Sequence, residues 1–378
     1  PKVYGLPCGA GGGGGSVLPD SNDYPAWSAR TIGYTGNLSG AGYAFGLWTI
    51  FGSNDVYKIS TDSIHWVFRT AGGGAGTVNF SFAYDDSDLA ILGHENGRLS
   101  STTDAIHFTA RTTGLGQNAN FNFSGYLNNL WIAAGQDGNM AVSTDAIHWT
   151  LRTTGSSNKI NQIAYGSGNY ILGDQVGRAA SSTDTIHWIS RTVSIDSDGR
   201  LQGATYSDDL DLYFISGRRS WSAYSAADFG AVSTDTIHWT LRTLGLEGGY
   251  NPAISVYADG IFTLTTDQAQ GRLATSTDSI HWKRRTSNGA AVRGIVRTSD
   301  SEYGIAGTGF FSHLSFPDSV NPGKVGFRGG GGGGGSIIPG RSQLDDQTSN
   351  TVRKYRYFDA ITSDGAKGGD GYVKITWY

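Results

Sequence analysis

The apolar positions of this chain fall into short alternating runs, each bounded by Gly, Asn or Asp. The pattern is clearest between residues 160 and 191. Ile160–Tyr165 alternates and predicts a first strand; Tyr170–Gly173 predicts a second, Arg178–Ser182 a third and His187–Arg191 a fourth. The same frame fits Phe80–Tyr84, Leu89–Gly93, Arg98–Ser101 and His107–Arg111. It fits again over Phe121–Gly125, Leu130–Ala134, Met140–Ser143 and His148–Arg152.

Each frame ends on one phrase, close to Ser-Thr-Asp-x-Ile-His-Trp-x-x-Arg-Thr. Its aromatic falls at Trp66, Phe108, Trp149, Trp188, Trp239 and Trp282. A worn copy, Trp27-Ser-Ala-Arg30-Thr31, lacks the Asp. The period is about forty residues, which points to propeller blades of four strands each. The ends of the run complete the count. After Trp282 come three strands, at Gly294–Arg297, Tyr303–Ala306 and Phe310–Ser315, with no fourth. The worn copy at Tyr24–Thr31 is a fourth strand with no first three. Joined, they make a seventh blade stitched from both termini, which removes the open sheet edge. The expectation is therefore all-β: a seven-bladed β-propeller over 23–320, between a glycine-rich segment at 1–22 and another at 321–378.

Composition agrees. The chain has 378 residues with only 16% charged, and Glu occurs three times, at Glu95, Glu247 and Glu302. Helix-forming charged residues are scarce, while Thr, Ser and aromatic residues abound. The net charge of −4 gives no electrostatic footprint for nucleic acid. Cys8 is the single cysteine, so no internal disulfide and no cysteine-based zinc site is expected. No stretch approaches eighteen apolar residues, so no membrane span is read, and no signal peptide is visible. The chain opens on Pro1, which suggests processing or an upstream part.

Glycine is 57 of the residues and is concentrated at the ends. Gly11–Gly15 runs into Ser16-Val17-Leu18-Pro19, and Gly329–Gly335 into Ser336-Ile337-Ile338-Pro339. The chain closes on an alternating strand, Tyr372-Val-Lys-Ile-Thr-Trp-Tyr378. The two tails are expected to form a small glycine-rich β unit into which the propeller is inserted. Seven consecutive glycines are entropically costly to order. Packing against other copies would supply that order, and a homo-oligomer, a trimer above all, is expected.

Ser-x-Asp-x-x-x-Trp resembles the Asp-box of BNR-type propeller repeats, one residue shorter and with Ile in its middle. The resemblance implies a turn between third and fourth strands, capped by the Asp, on the face away from the ligand. It also implies an aromatic packed between sheets. Sialidases, other glycosidases, assembly factors and binding modules all share that architecture, so it fixes no activity. The Gly runs and the Gly-Gly-Asp-Gly-Tyr ending resemble the glycine-rich ends of bacteriophage tail fibres and virion appendages.

Residues locked to the repeat are read as structural. These are Asp62, Asp104, Asp145, Asp184, Asp235 and Asp278, with Trp66, Trp149, Trp188, Trp239 and Trp282. The six histidines His65, His107, His148, His187, His238 and His281 are read as packing residues. The seven arginines Arg30, Arg69, Arg111, Arg152, Arg191, Arg242 and Arg285 are read as partners of the Asp carboxylates or of turn carbonyls. Function should lie where the repeat breaks. Blade five is longer by about ten residues in its second-to-third loop, where loops commonly carry function. Arg218, Arg219, Trp221 and Tyr224 there, with Glu247 and Tyr250 beside them, are the candidate ligand-binding residues. A glycosidase needs two facing carboxylates; Glu95, Asp137, Asp174, Asp267 and Glu247 are the available ones, none with a supporting motif. No catalytic residue, metal or cofactor is expected. The leading reading is an extracellular virion appendage protein that binds a host surface glycan or another virion protein. A cellular adhesin or lectin, and a sialidase-like glycoside hydrolase, are the alternatives.

Overall fold

A computed structural model describes residues 27–71, 78–116, 119–193, 199–218, 228–244, 252–266, 272–286, 291–298, 302–315, 327–330 and 334–337. The chain divides into two compact units, one of Asn22–Ile338 and one of Pro1–Ser21 with Pro339–Tyr378. The second lies outside the described residues.

Seven antiparallel four-stranded sheets make a seven-bladed β-propeller. The innermost strands are Leu38–Ala44, Asn79–Tyr84, Phe123–Leu127, Ile160–Gly166, Arg200–Ser207, Pro252–Ala258 and Val292–Arg297. Each packs against the next, and the last packs against the first. Blades one to six take their strands in chain order; the seventh does not. Its three inner strands are Val292–Arg297, Glu302–Gly307 and Phe310–Ser315, and its outer strand is Ser28–Arg30 from the other end of the chain. Ser28 stands opposite His313, Ala29 opposite Ser312 and Arg30 opposite Phe311. The stitched seventh blade is as the sequence predicts.

Second strands such as Ala90–His94 and Leu130–Ala134 are buried almost throughout, because a blade is covered on both faces by its neighbours. The core therefore lies between blades. Phe123, Ile132, Met140 and Val142 of blade three share a cluster with Ile163, Tyr170 and Leu172 of blade four. Trp48 of blade one packs edge-on against Phe311 of blade seven, ring centres 5.8 Å apart. Each such side chain contributes about 1.5–3 kcal/mol by leaving water.

Near the axis the spacing is tighter than side chains allow. A Cβ on Gly294 would lie 2.5 Å from the Cα of Gly40, so blades seven and one meet backbone to backbone. Gln162 links three blades. Its Nε2 donates to the Ser255 carbonyl at 2.9 Å, and its Oε1 accepts the Ala204 amide at 3.1 Å. At the rim of blades six and seven, Arg297 grips Asp259 in a bidentate pair, Nε to Oδ2 at 2.5 Å and Nη2 to Oδ1 at 2.6 Å. Both side chains are buried, and the Tyr303 hydroxyl donates to the same carboxylate.

The repeated phrase forms the third-to-fourth turn. In blade one Asp62 Oδ1 accepts the amides of Ile64 and His65, both at 2.8 Å, and the Ser60 hydroxyl at 3.0 Å. Ser63 bends through φ 61°, and the Trp66 indole N–H donates back to the Ser63 carbonyl at 3.1 Å. Asp104, Asp145, Asp184, Asp235 and Asp278 repeat the two amide bonds. The Asp is an Asx cap on its own turn, as the sequence reading expects.

Three predictions follow from this packing. Asp259→Asn leaves the buried Arg297 charge without its counterpart and should cost about 3–5 kcal/mol in urea denaturation; a loss under 1 kcal/mol would contradict it. Gly294→Ala drives a methyl into the backbone of blade one and should lower the melting temperature, whereas Gly46→Ala, where a Cβ meets nothing but φ is +76°, should cost only backbone strain.

The third concerns acid. His94 is fully buried with its Nε2 2.6 Å from the Ser100 hydroxyl. Burial, then the Arg98 charge, pushes its pKa down from 6.5 to about 4. Between those values the unfolded chain takes a proton that the folded chain refuses, so stability falls as pH drops through that window. Asp62 is held well below its ordinary 3.8 by the His65 amide first, then the His65 ring and the Ile64 amide. Its contribution persists until the pH falls below that ordinary value. Urea melts at pH 7, 5 and 4 should lose about 3 kcal/mol that His94→Asn does not lose; equal slopes in both proteins would refute it.

Candidate functional site

Antiparallel order divides the connections between two faces. The first-to-second and third-to-fourth turns lie on one, the turn face. The second-to-third loops and the links between blades lie on the other, the loop face. Between the faces runs the axial channel.

On the loop face, Arg218 is the last residue of the second strand of blade five, Leu212–Arg218, and is 5% exposed. It stands opposite Arg200 and Asp228 in the sheet, and Asp228 is buried too. Burial, then the Arg218 charge, lowers the pKa of the Arg200 guanidinium. Arg218 thus stands in register between Arg200 and the buried Asp228 at the base of the long loop. Arg219, Trp221, Tyr224, Glu247 and Tyr250 lie outside the described residues.

Two of the five carboxylates read for glycosidase chemistry, Asp174 and Glu95, are engaged by backbone amides. Asp174 is fully buried. Its Oδ1 accepts the Val176 and Arg178 amides at 3.1 and 2.9 Å, and its Oδ2 accepts the Ser156 hydroxyl at 2.6 Å. Glu95 Oε2 accepts the Val78 amide at 2.6 Å. Asp137 sits at φ 57° in the tight turn Gln136–Gly138. Asp267 and Glu247 lie outside the described residues. Among the described residues no three His, Cys, Asp or Glu side chains converge.

The repeat histidines are a correction. They do not pack; their side chains are 82–86% exposed. Each ring Nδ1 lies 2.6–2.8 Å from the second oxygen of its own turn's Asp. A carboxylate only accepts, so Nδ1 carries the proton and Nε2 faces solvent. The arginines are corrected in part. Arg111, Arg191 and Arg285 donate from Nε to the third-strand hydroxyls of Ser101, Ser181 and Thr275, at 2.8, 2.7 and 3.2 Å, and not to the Asp carboxylates. Arg69 and Arg152 reach the carbonyls of Phe68 and Leu151. Arg30 bonds His313, whose Nε2 donates to Glu302 Oε1 at 2.8 Å, all within the stitched blade.

Two features escaped the sequence reading. The first is in the channel. Phe327–Gly330 and Gly334–Ile337 pair as an antiparallel hairpin, with Gly329 opposite Gly335 and Gly330 opposite Gly334. The hairpin lies against the innermost strands of all seven blades. Gly329, Gly330, Gly334 and Gly335 of the C-terminal run thus pair with one another against the chain's own propeller. Gly carries no side-chain period, so no pattern in the sequence announced it.

The second is on the turn face. Ile64, Ile147, Ile186, Ile237 and Ile280 are each about half exposed at one repeat position. Val67, Phe68, Leu151 and Ile189 are exposed where the outer strands begin, and Leu210 in a first-to-second turn. Among the described residues Val176 is the one large apolar residue exposed on the loop face. The signal was present in the sequence, as an Ile that never varies at a turn.

No family model matches this chain, and no curated protein matches it either. Solved structures match its fold. YCF48 from Cyanidioschyzon merolae aligns at 14% identity and a TM-score of 0.60, over 77% of this chain and 99% of that one. A structure of YCF48 bound to D1 peptide aligns at 13% and 0.60, over 80% and 100%. Streptogramin B lyase aligns at 9% and 0.61, over 77% and 97%. Identities this low establish the propeller and nothing finer; the fold is one that serves binding, protein interaction and, in the lyase, catalysis.

Proposed function

We propose that this chain is a recognition propeller of a virion appendage, acting outside the cell by binding and not by turnover. The observation that carries the binding half is the hairpin in the axial channel. The space through which a propeller enzyme would admit substrate to its innermost strands is taken by the chain's own backbone. Two of the candidate carboxylates, Asp174 and Glu95, accept backbone amides. Binding must then use the outer surfaces. A propeller of this shape carries a D1 peptide in the YCF48 structure, which supports a protein ligand here. The virion half rests on the sequence likeness of the glycine-rich ends to phage fibres.

The blade-five loop, which follows the buried Arg218 in the sequence and carries Arg219, Trp221 and Tyr224, is the proposed contact for a host surface glycan or a virion protein. Aromatic faces flanked by cations suit both. Labelled full-length protein should bind host cells or a glycan array, and replacing 219–226 by a short Asn-Gly turn should weaken binding about tenfold or more. Turnover of any glycan on the array would overturn the reading in favour of a hydrolase. Binding unchanged by the loop replacement would move the contact elsewhere on the surface.

A further inference from the structure

Five of the six repeated turns display an apolar side chain that the core does not use, whereas Ile106 of blade two packs against the cluster around Phe51 and Phe82. The turn needs the backbone amide at this position, which donates to the Asp, and any residue but proline would supply that amide. Yet all six copies carry Ile there. Five of them are 48–52% exposed. Beside each Ile stands an imidazole locked in one orientation by its Asp, with Nε2 outward, and the carboxylate itself is 41–44% exposed. Single exposed apolar residues are ordinary, but one residue type repeated around one face marks an interface.

The geometry points to face-to-face pairing of two copies of this chain through the turn face. The ring has five exposed positions in seven, and a partner that engages them together must offer the same spacing. A second copy offers it without further invention. The contact is self-complementary in its apolar part, since each exposed Ile would meet the same Ile surface on the partner. That is what an isologous two-fold interface requires. Half-exposed isoleucines with their imidazoles provide on the order of several hundred Å² per face, comparable with the roughly 800 Å² per partner of a standard interface. The turns are also rigid, each held by an Asp that accepts two amides, so little ordering entropy is lost on docking.

The full chain tests this by sedimentation velocity over a wide concentration range at neutral pH. The wild-type protein should sediment as a pair, or as an assembly built of pairs. The triple variant Ile147→Lys, Ile186→Lys, Ile237→Lys places like charges against each other on both faces. It should raise the dissociation constant about a hundredfold or more and halve the mass. Val176→Lys, on the loop face, should change nothing. The substituted residues are exposed, and circular dichroism of the triple variant should match the wild type. A mass that the triple substitution does not alter overturns the proposal. That holds for a trimer joined through the glycine-rich ends and for a monomer whose turn face is covered by its own terminal segments. Because the readout is mass, failure here is distinguishable from failure of the glycan or virion reading.

Discussion

The structure depends on one carboxylate in each of six blades. The Asp of the repeated phrase accepts two successive amides and a hydroxyl on one oxygen and an imidazole on the other. The bond set holds the next residue at positive φ in all six copies, at Ser63, Ala105, Ala146, Thr185, Thr236 and Ser279. None of these is glycine, so each turn carries local backbone strain on the order of 1 kcal/mol that the Asp must offset. What the strain achieves is direction. It returns the chain antiparallel onto the third strand and turns the aromatic inward. Trp66, tied to its own turn, reaches Phe311 of blade seven with ring centres 4.9 Å apart. Trp282 likewise meets Phe214 of blade five at 5.3 Å. The turn that ends one blade thus also joins it to the previous one.

Much of this was legible in the sequence. A polar cap, a fixed aromatic and a constant period are all written in side chains, and the count of blades and the stitched seventh follow from them. The histidines were misread because the phrase shows an aromatic-like residue beside Trp, and packing was the simpler inference. Their exposure depends on the positive φ two residues earlier, which points the ring out along its Asp. Nothing in the identity of Ser63 or Ala105 announces that conformation. Arg111, Arg191 and Arg285 were misassigned for a related reason. The Asp's oxygens are already filled within the turn, so the guanidinium turns to the third strand, a pairing visible only once the strand register is known.

The candidate site was the least legible part. Loop length drew attention to blade five, correctly locating an irregularity. The second strand nevertheless runs through Arg218, which the sequence reading placed in the loop. The glycine hairpin was hidden for the opposite reason. A run without side chains has no periodicity to read, and its conformation is dictated by the walls of the channel it occupies.

The stitched blade sets the order in which this chain can fold. Arg30 bonds His313 across a sequence separation of 283 residues. During synthesis Ser28–Arg30 emerges first and has no strand to pair with until nearly the whole propeller has been made. The first-made strand is therefore the last to dock, and six blades must assemble with an unclosed edge at each end. Loop-closure entropy of this span is met only after the interblade contacts are in place. The nascent protein passes through a long stage as an open arc with unpaired strand edges, the state in which a β-rich chain is most exposed to misassociation with its neighbours.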